Sequence, residues 1–385
     1  MKTGGKAVRQ GMRKQDLGVW LLALGTAALG AALLGRSQAA AEGARLGLAA
    51  CGTTLIPALF PFLALSVFVA ATPVSDLLTG PVGKLTGALY GAPRVLGPAV
   101  LLSWIGGYPA GAKVLAEQLE QGVISPEDAE LALCFCVNSG PAFMTGVVGA
   151  GVFGSASAGL GLFGCQLLAG AVGGRLMLRG RRFSPLALAG GGRQGRREPL
   201  SAALVRSVTG AAASMLAMCA FVVFFSTLAA LLRACGVLPA ASGVLSALSG
   251  GILTPRGAEG LLTGMLEVCG GSTMAGSLPP EQAALALPFV LSFSSLSVIC
   301  QVASCFPPGR LKMGMFLRSR FLHGLLTAAL ASPWLWQRAR TAGAFASGSH
   351  VLAGDGRTAA GTVCLLGMCA ILFLTIEGRG EQPPR

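Results

Sequence analysis

No Asp, Glu, Lys or Arg occurs in Leu17–Gly35, Leu46–Ser75, Val95–Ala112, Leu131–Gly174, Ser207–Leu232, Gln282–Gly309, Phe321–Gln337 or Thr358–Ile376. About 20 apolar residues cross a bilayer as a helix, so the pattern predicts roughly seven to nine membrane-embedded elements. Leu131–Gly174 is too long for one crossing. It is broken by Asn138-Ser139-Gly140-Pro141 and again by Gly154-Ser155-Ala156-Ser157, which predicts a hairpin or half-helix pair followed by a full helix.

A second regularity overlies the first. Ser125–Phe135 reads SPEDAELALCF and Pro279–Phe289 reads PPEQAALALPF, identical at seven of eleven positions. Each copy runs into an apolar segment interrupted by small polar residues, Asn138–Pro141 in one and Ser292-Phe293-Ser294-Ser295 in the other. Duplicated, broken apolar segments mark the binding site of transporters built from internal repeats. A weaker echo places Gly106-Gly107-Tyr108-Pro109 before the first copy and Gly270-Gly271-Ser272-Thr273 before the second.

Charge sets the expected direction of the segments. Five Lys or Arg lie in the first fourteen residues and six between Arg179 and Arg197, which puts both regions on the cytoplasmic side by the positive-inside rule. Ser207–Leu232 then runs opposite to its counterpart Leu46–Ala71, as an inverted repeat requires. The expected fold is all-α: a polytopic integral membrane protein with two inverted repeats containing broken or re-entrant helices. Its expected parts are an N-terminal transmembrane helix (17–36), a first gate repeat (45–179), a basic cytoplasmic loop (180–200), a second gate repeat (201–337) and a C-terminal transmembrane helix (358–377). The first helix has the layout of a secretory signal, but its apolar run is long for cleavage, which favours an uncleaved anchor.

Composition narrows the function classes. With 53% hydrophobic and 11% charged residues and a mean hydropathy of +0.69, the chain is a membrane protein. The formal charge of +14 resides at segment ends, where it meets lipid head groups and not nucleic acid. The eleven cysteines lack the spacing of a zinc site or a disulfide framework. No H-E-x-x-H, G-x-S-x-G or Walker sequence occurs, so the chain is expected to be no enzyme and to hold no metal or cofactor.

Candidate chemistry follows from the breaks. Pro141 cannot donate to the helical ladder, which frees carbonyls near Val137 and starts a half-helix whose N–H groups attract anions. A proline kink satisfied by neighbouring helices is the other reading of that sequence. Near Gly106–Pro109 the backbone is expected to cross in non-helical form before a helix begins at about Ala110. Lys113, in its first turn, opposes the helix dipole, and either an anionic solute or an i,i+4 pair with Glu117 accounts for it. Glu267 is the lone acid between Glu259 and Glu281, a coupling group or a membrane-boundary residue. The expected solute-binding set is Tyr108, Lys113, Asn138, Ser139, Gly140, Ser292, Ser294, Ser295 and Gln301, with Glu267 for coupling.

Pro57-Ala-Leu-Phe-Pro-Phe62, Gly107-Tyr-Pro-Ala-Gly-Ala-Lys113, Asn138-Ser-Gly-Pro-Ala-Phe143 with Gly146 and Gly149, and Leu266-Glu267 resemble the sporulation integral membrane protein YlbJ family over roughly Leu46 to Leu330. The gate-type repeats are similar to those of nucleoside-recognition and concentrative nucleoside transporter proteins. The resemblance implies transport of a small organic anion, dipicolinate, across the membrane surrounding the forespore. It also implies a place in the bacterial cell membrane or outer forespore membrane, with the N-terminus cytoplasmic. Two alternatives stand beside this: a nucleoside or nucleobase transporter, and a non-transporting sporulation scaffold. Partners are expected to be the solute, membrane lipids, and further copies of the chain or other sporulation membrane proteins. The sequence departs from the family at Ser294-Ser295 and Ile299, where a glycine-rich turn and a histidine are expected.

Overall fold

The computed structural model describes residues 4–72, 74–188 and 199–341. Among them every regular element is helical. The first half comprises α1 (Gly4–Gly35), α2 (Ser37–Ala50), a π-helical turn (Cys51–Leu55), α3 (Ile56–Ala71), α4 (Val74–Tyr90), α5 (Gly97–Ile105), α6 (Tyr108–Glu120), α7 (Pro126–Leu133), a π-helical segment (Phe143–Val152) and α8 (Ala156–Leu178). The short α9 (Pro185–Leu188) leads to the second half: α10 (Leu200–Ala234), α11 (Val237–Leu248), α12 (Pro255–Leu266), α13 (Val268–Ala275), α14 (Pro280–Phe293), α15 (Leu296–Ser304) and α16 (Gly314–Thr341). The Thr358–Ile376 segment and most of the basic loop lie outside the described residues.

Both halves follow one order: a long rod, a helix, a sharply reversed pair, a broken helix and a closing helix. The rods are α2–α3 and α10, and they pack antiparallel through small residues. A methyl added at Gly43 would lie 2.8 Å from the Ser226 carbonyl, and one at Gly47 would lie 2.8 Å from the Val223 Cα. Cys51 Sγ approaches the Cys219 carbonyl at 3.9 Å, and Gly210 faces Val67. The closing helices α8 and α16 are also antiparallel, with Gly161 against Trp334 and Gly173 against Leu326.

The pairs α5–α6 and α12–α13 are re-entrant hairpins, a form of non-helical backbone that a bilayer tolerates only when it is covered by protein. Gly111 on α6 folds back against Ser103 and Ala99 of α5, and Gly271 on α13 against Gly264 of α12. The hairpin tips are Gly106-Gly107 and Glu267. A helix was expected from about Ala110, but the turn closes sooner, because Gly107 at φ +82° ends the reversal and Tyr108 opens α6. Lys113 accordingly sits in the second turn.

Five described helices are long and apolar enough to span a membrane, or six if the bent pair Gly80–Tyr90 and Arg94–Ile105 counts as one span. Apart from α16, which has 28 residues, the remaining elements are too short to cross alone. The closing helix α16 turns its polar residues inward. Ser319, Arg320, His323 and Thr327 are buried, while Leu317, Phe321, Leu325 and Leu330 face outward. That arrangement reverses a water-soluble helix and suits lipid.

The first copy of the duplicated motif is a helix start. Ser125 and Asp128 form a capping box on α7, and Asp128 also accepts from the Ser184 N–H (2.8 Å) and hydroxyl (2.5 Å). Burial raises the Asp128 carboxyl, but the donors of Ser184 and Ser125 outweigh it and hold it below the usual carboxylate range. In the second copy Pro279 takes the cap position of α14 without a side-chain bond.

Two predictions come from this packing. Gly271→Ala places a methyl 2.2 Å from the Gly264 Cα and is expected to cost about 1–3 kcal/mol, read as a lower unfolding midpoint in detergent. Gly146→Ala, with nothing within 4 Å, should leave the midpoint nearly unchanged. Asp128→Asn should remove stability that is present above the unfolded carboxyl value of about 4 and that fades as pH falls through the lower folded value. Wild type and variant melting curves should therefore differ at neutral pH and converge in acid.

Candidate functional site

The two hairpin tips, the first helix break and α15 meet around a small cavity of about 30 Å³. Gly106, Gly107 and Tyr108 come from the first tip, Ser139, Gly140 and Phe143 from the first break, Glu267, Val268 and Cys269 from the second tip, and Val298 and Gln301 from α15. The first tip and first break touch backbone to backbone. A methyl at Gly140 would lie 3.3 Å from both the N and Cα of Gly107, so both positions need glycine. Most lining residues belong to the starting ends of half-helices, where unpaired N–H groups give positive potential.

One of those ends already holds a carboxylate. Glu267 is 1% exposed, and its oxygens accept from Cys269 N–H at 2.9 Å and Gly270 N–H at 2.6 Å. The glutamate therefore caps α13 as a bound anion would. At the first break, Ser139 Oγ is fully buried beside the Tyr108 hydroxyl.

Each break frees carbonyls, and side chains from other helices take them, most of them from the opposite half. Arg320 of α16 donates from Nη1 to the Val137 carbonyl (2.5 Å) and from Nη2 to the Cys134 carbonyl (2.6 Å). Tyr108 of the first half donates its hydroxyl to the Leu291 carbonyl (2.7 Å), just before the second break. Gln166 of α8 donates to the Ser139 carbonyl at 3.2 Å. Without these bonds each buried carbonyl would cost about 1–3 kcal/mol.

The expected solute-binding residues divide. Tyr108, Ser139, Gly140, Gln301 and Glu267 line the cavity together. Asn138 lies behind it, its amide donating to Ser103 Oγ (3.1 Å) and the Phe135 carbonyl (3.0 Å). Lys113 points away to α10, where its ammonium donates to the Ser214 hydroxyl. Ser292, Ser294 and Ser295 are buried in the second break without lining the cavity. Arg320 and Gln166 escaped the sequence reading. Arg320 borders the uncharged run Phe321–Gln337 and reads as its polar end, and its spacing of three from His323 is the signal that both share one helix face.

This chain is 27% identical to the sporulation integral membrane protein YlbJ of Bacillus subtilis strain 168 over 338 residues, covering 82% of each chain. The likeness runs over most of both chains. No family model and no solved structure matches it. The likeness fits the all-helical membrane architecture and carries no assignment of individual residues.

Where the family pattern leads one to expect glycine, Ser294 and Ser295 adopt φ values of 75° and 48°. A side chain in left-handed backbone costs about 1–2 kcal/mol. Ser295 repays part of this, since its Oγ accepts from Val298 N–H at 3.3 Å and caps α15. Ser294 has only a 3.3 Å contact to the Ser292 carbonyl. Ser294→Gly is therefore expected to raise stability by about 1 kcal/mol, seen as a higher unfolding midpoint; a lower midpoint would show that the Ser294 hydroxyl matters more than its backbone strain.

Proposed function

We propose that this protein is a transporter acting in sporulation, moving a small organic anion, dipicolinate, through the central cavity across the membrane around the forespore, with its N-terminus cytoplasmic. The observation that carries the reading is the convergence of two re-entrant tips, the first helix break and the half-helix α15 that follows the second break on one small cavity. A scaffold needs no such construction. The matched order of elements and the antiparallel rods and closing helices support two inverted repeats, and inverted repeats support alternating access by movement of one hairpin set against the other. The name of the Bacillus subtilis relative supports the sporulation setting.

The cavity as described is closed, too small for an aromatic dicarboxylate. Solute entry requires one tip to withdraw. Glu267 is the coupling group in this reading: its carboxylate occupies the Cys269 and Gly270 amides, and protonation weakens its hold on them so that a solute carboxylate can take its place. Ser139 offers a buried hydroxyl in the cavity lining.

The test is uptake of labelled dipicolinate and of uridine into proteoliposomes side by side. Saturable dipicolinate uptake is expected, accelerated by an imposed proton gradient. Ser139→Ala should raise the half-saturation concentration by about tenfold, the scale of one hydrogen bond, and Glu267→Gln should abolish the response to the gradient. Uptake of uridine alone would replace the anion with a nucleoside, and uptake of neither would end the transporter reading.

A further inference from the structure

Arg320 is completely buried, yet its guanidinium meets carbonyls and not a carboxylate. Besides Val137 and Cys134 it reaches the Ser319 hydroxyl at 3.5 Å and packs on the Phe316 ring, 5.2 Å from the centroid. Among the described residues no Asp or Glu pairs with it. Carbonyl dipoles hold such a cation in place but leave its unit charge uncancelled, and burying an unpaired charge is among the most costly arrangements a fold can retain.

Capping alone does not explain that expense. The neighbouring freed carbonyl, Ser139, is taken by the neutral amide of Gln166, so this region already uses an uncharged donor for the same task. What differs at Arg320 is the charge. Val137, which it holds, lies two residues before the cavity-lining Ser139, and Arg320 is within electrostatic reach of Tyr108, which also lines the cavity. The carboxylate on the facing wall is Glu267.

We propose that Arg320 is the fixed counter-charge for an anionic solute in the central cavity, acting through the backbone of the first break without touching the solute. The inference rests on the transport reading above and adds to it the residue that sets charge preference. When Glu267 is ionised it brings a negative charge of its own to the cavity lining. When Glu267 takes up a proton, Arg320 leaves the site one positive charge, so proton and anion enter together. Arg320 is a positioning and specificity residue, and His323, one turn on, completes the buried polar face of α16.

The experiment compares dipicolinate with its neutral diamide as ligands that raise the unfolding midpoint of purified protein in detergent. Wild type should respond to the dianion at about tenfold lower concentration than to the diamide, the scale of one unscreened charge at an intermediate dielectric. Arg320→Gln, which keeps donors and loses charge, should erase that difference while still responding to the diamide. Arg320→Lys, which keeps charge and loses the forked pair of bonds, should preserve it. A glutamine variant that keeps the wild-type preference overturns the proposal, as does a lysine variant that loses it; the lysine comparison decides alone if the glutamine variant does not fold. Wild type that responds to the diamide and not to the dianion, together with absent dipicolinate uptake, would overturn the anion reading itself, a result distinct from a preference that survives Arg320→Gln.

Discussion

A carbonyl released from a helix inside lipid has no water to turn to, and the whole core of this protein is arranged around that constraint. The first break releases Cys134, Val137 and Ser139, and the second releases Leu291. Arg320, Gln166 and Tyr108 take them. Three of these four bonds cross from one half to the other, so the breaks are stable only when both halves are docked. A cavity built in this way is held by the same bonds that define its walls.

Glycine supplies the geometry that the bonds then fix. Gly107 against Gly140, and Gly264 against Gly271, bring backbone into contact with backbone, which no side chain permits. The rods use the same device at Gly43 and Gly47, because helices in lipid associate through close approach and not through a hydrophobic drive. The second break is the exception. Two serines occupy left-handed backbone there, and strain of this kind persists where the surrounding packing dictates the conformation.

Electrostatically the core holds two buried charges of opposite sign, Glu267 in the cavity lining and Arg320 behind the first break. Glu267 satisfies the amide end of α13, and Arg320 satisfies the carbonyl end of the first broken helix. Neither has a partner of opposite charge in contact. Each is held by backbone dipoles, which lets the charge state of one alter the field felt at the other without breaking an ion pair.

The membrane class, the paired breaks and the acid at Glu267 were legible in the residues themselves, because missing charge, proline and glycine act locally and repeat visibly. The hairpin tips were only partly legible: Gly106-Gly107 announced a break, but the second tip falls at Glu267 and not at the Gly270-Gly271 pair that echoes it, since a carboxylate capping its own helix looks in sequence like any lone acid. Lys113 and Arg320 mark the boundary most clearly. Lys113 carried the local signature of an anion site and turned outward to Ser214, whereas Arg320 seemed the polar end of an apolar run and lies at the centre. Which way a long cationic side chain points depends on what the opposite half offers it, carbonyls or hydroxyls, and that contact spans more than a hundred residues of chain. Local chemistry thus determined where the helices break, and tertiary packing alone decided which side chains answer the breaks and which face the cavity.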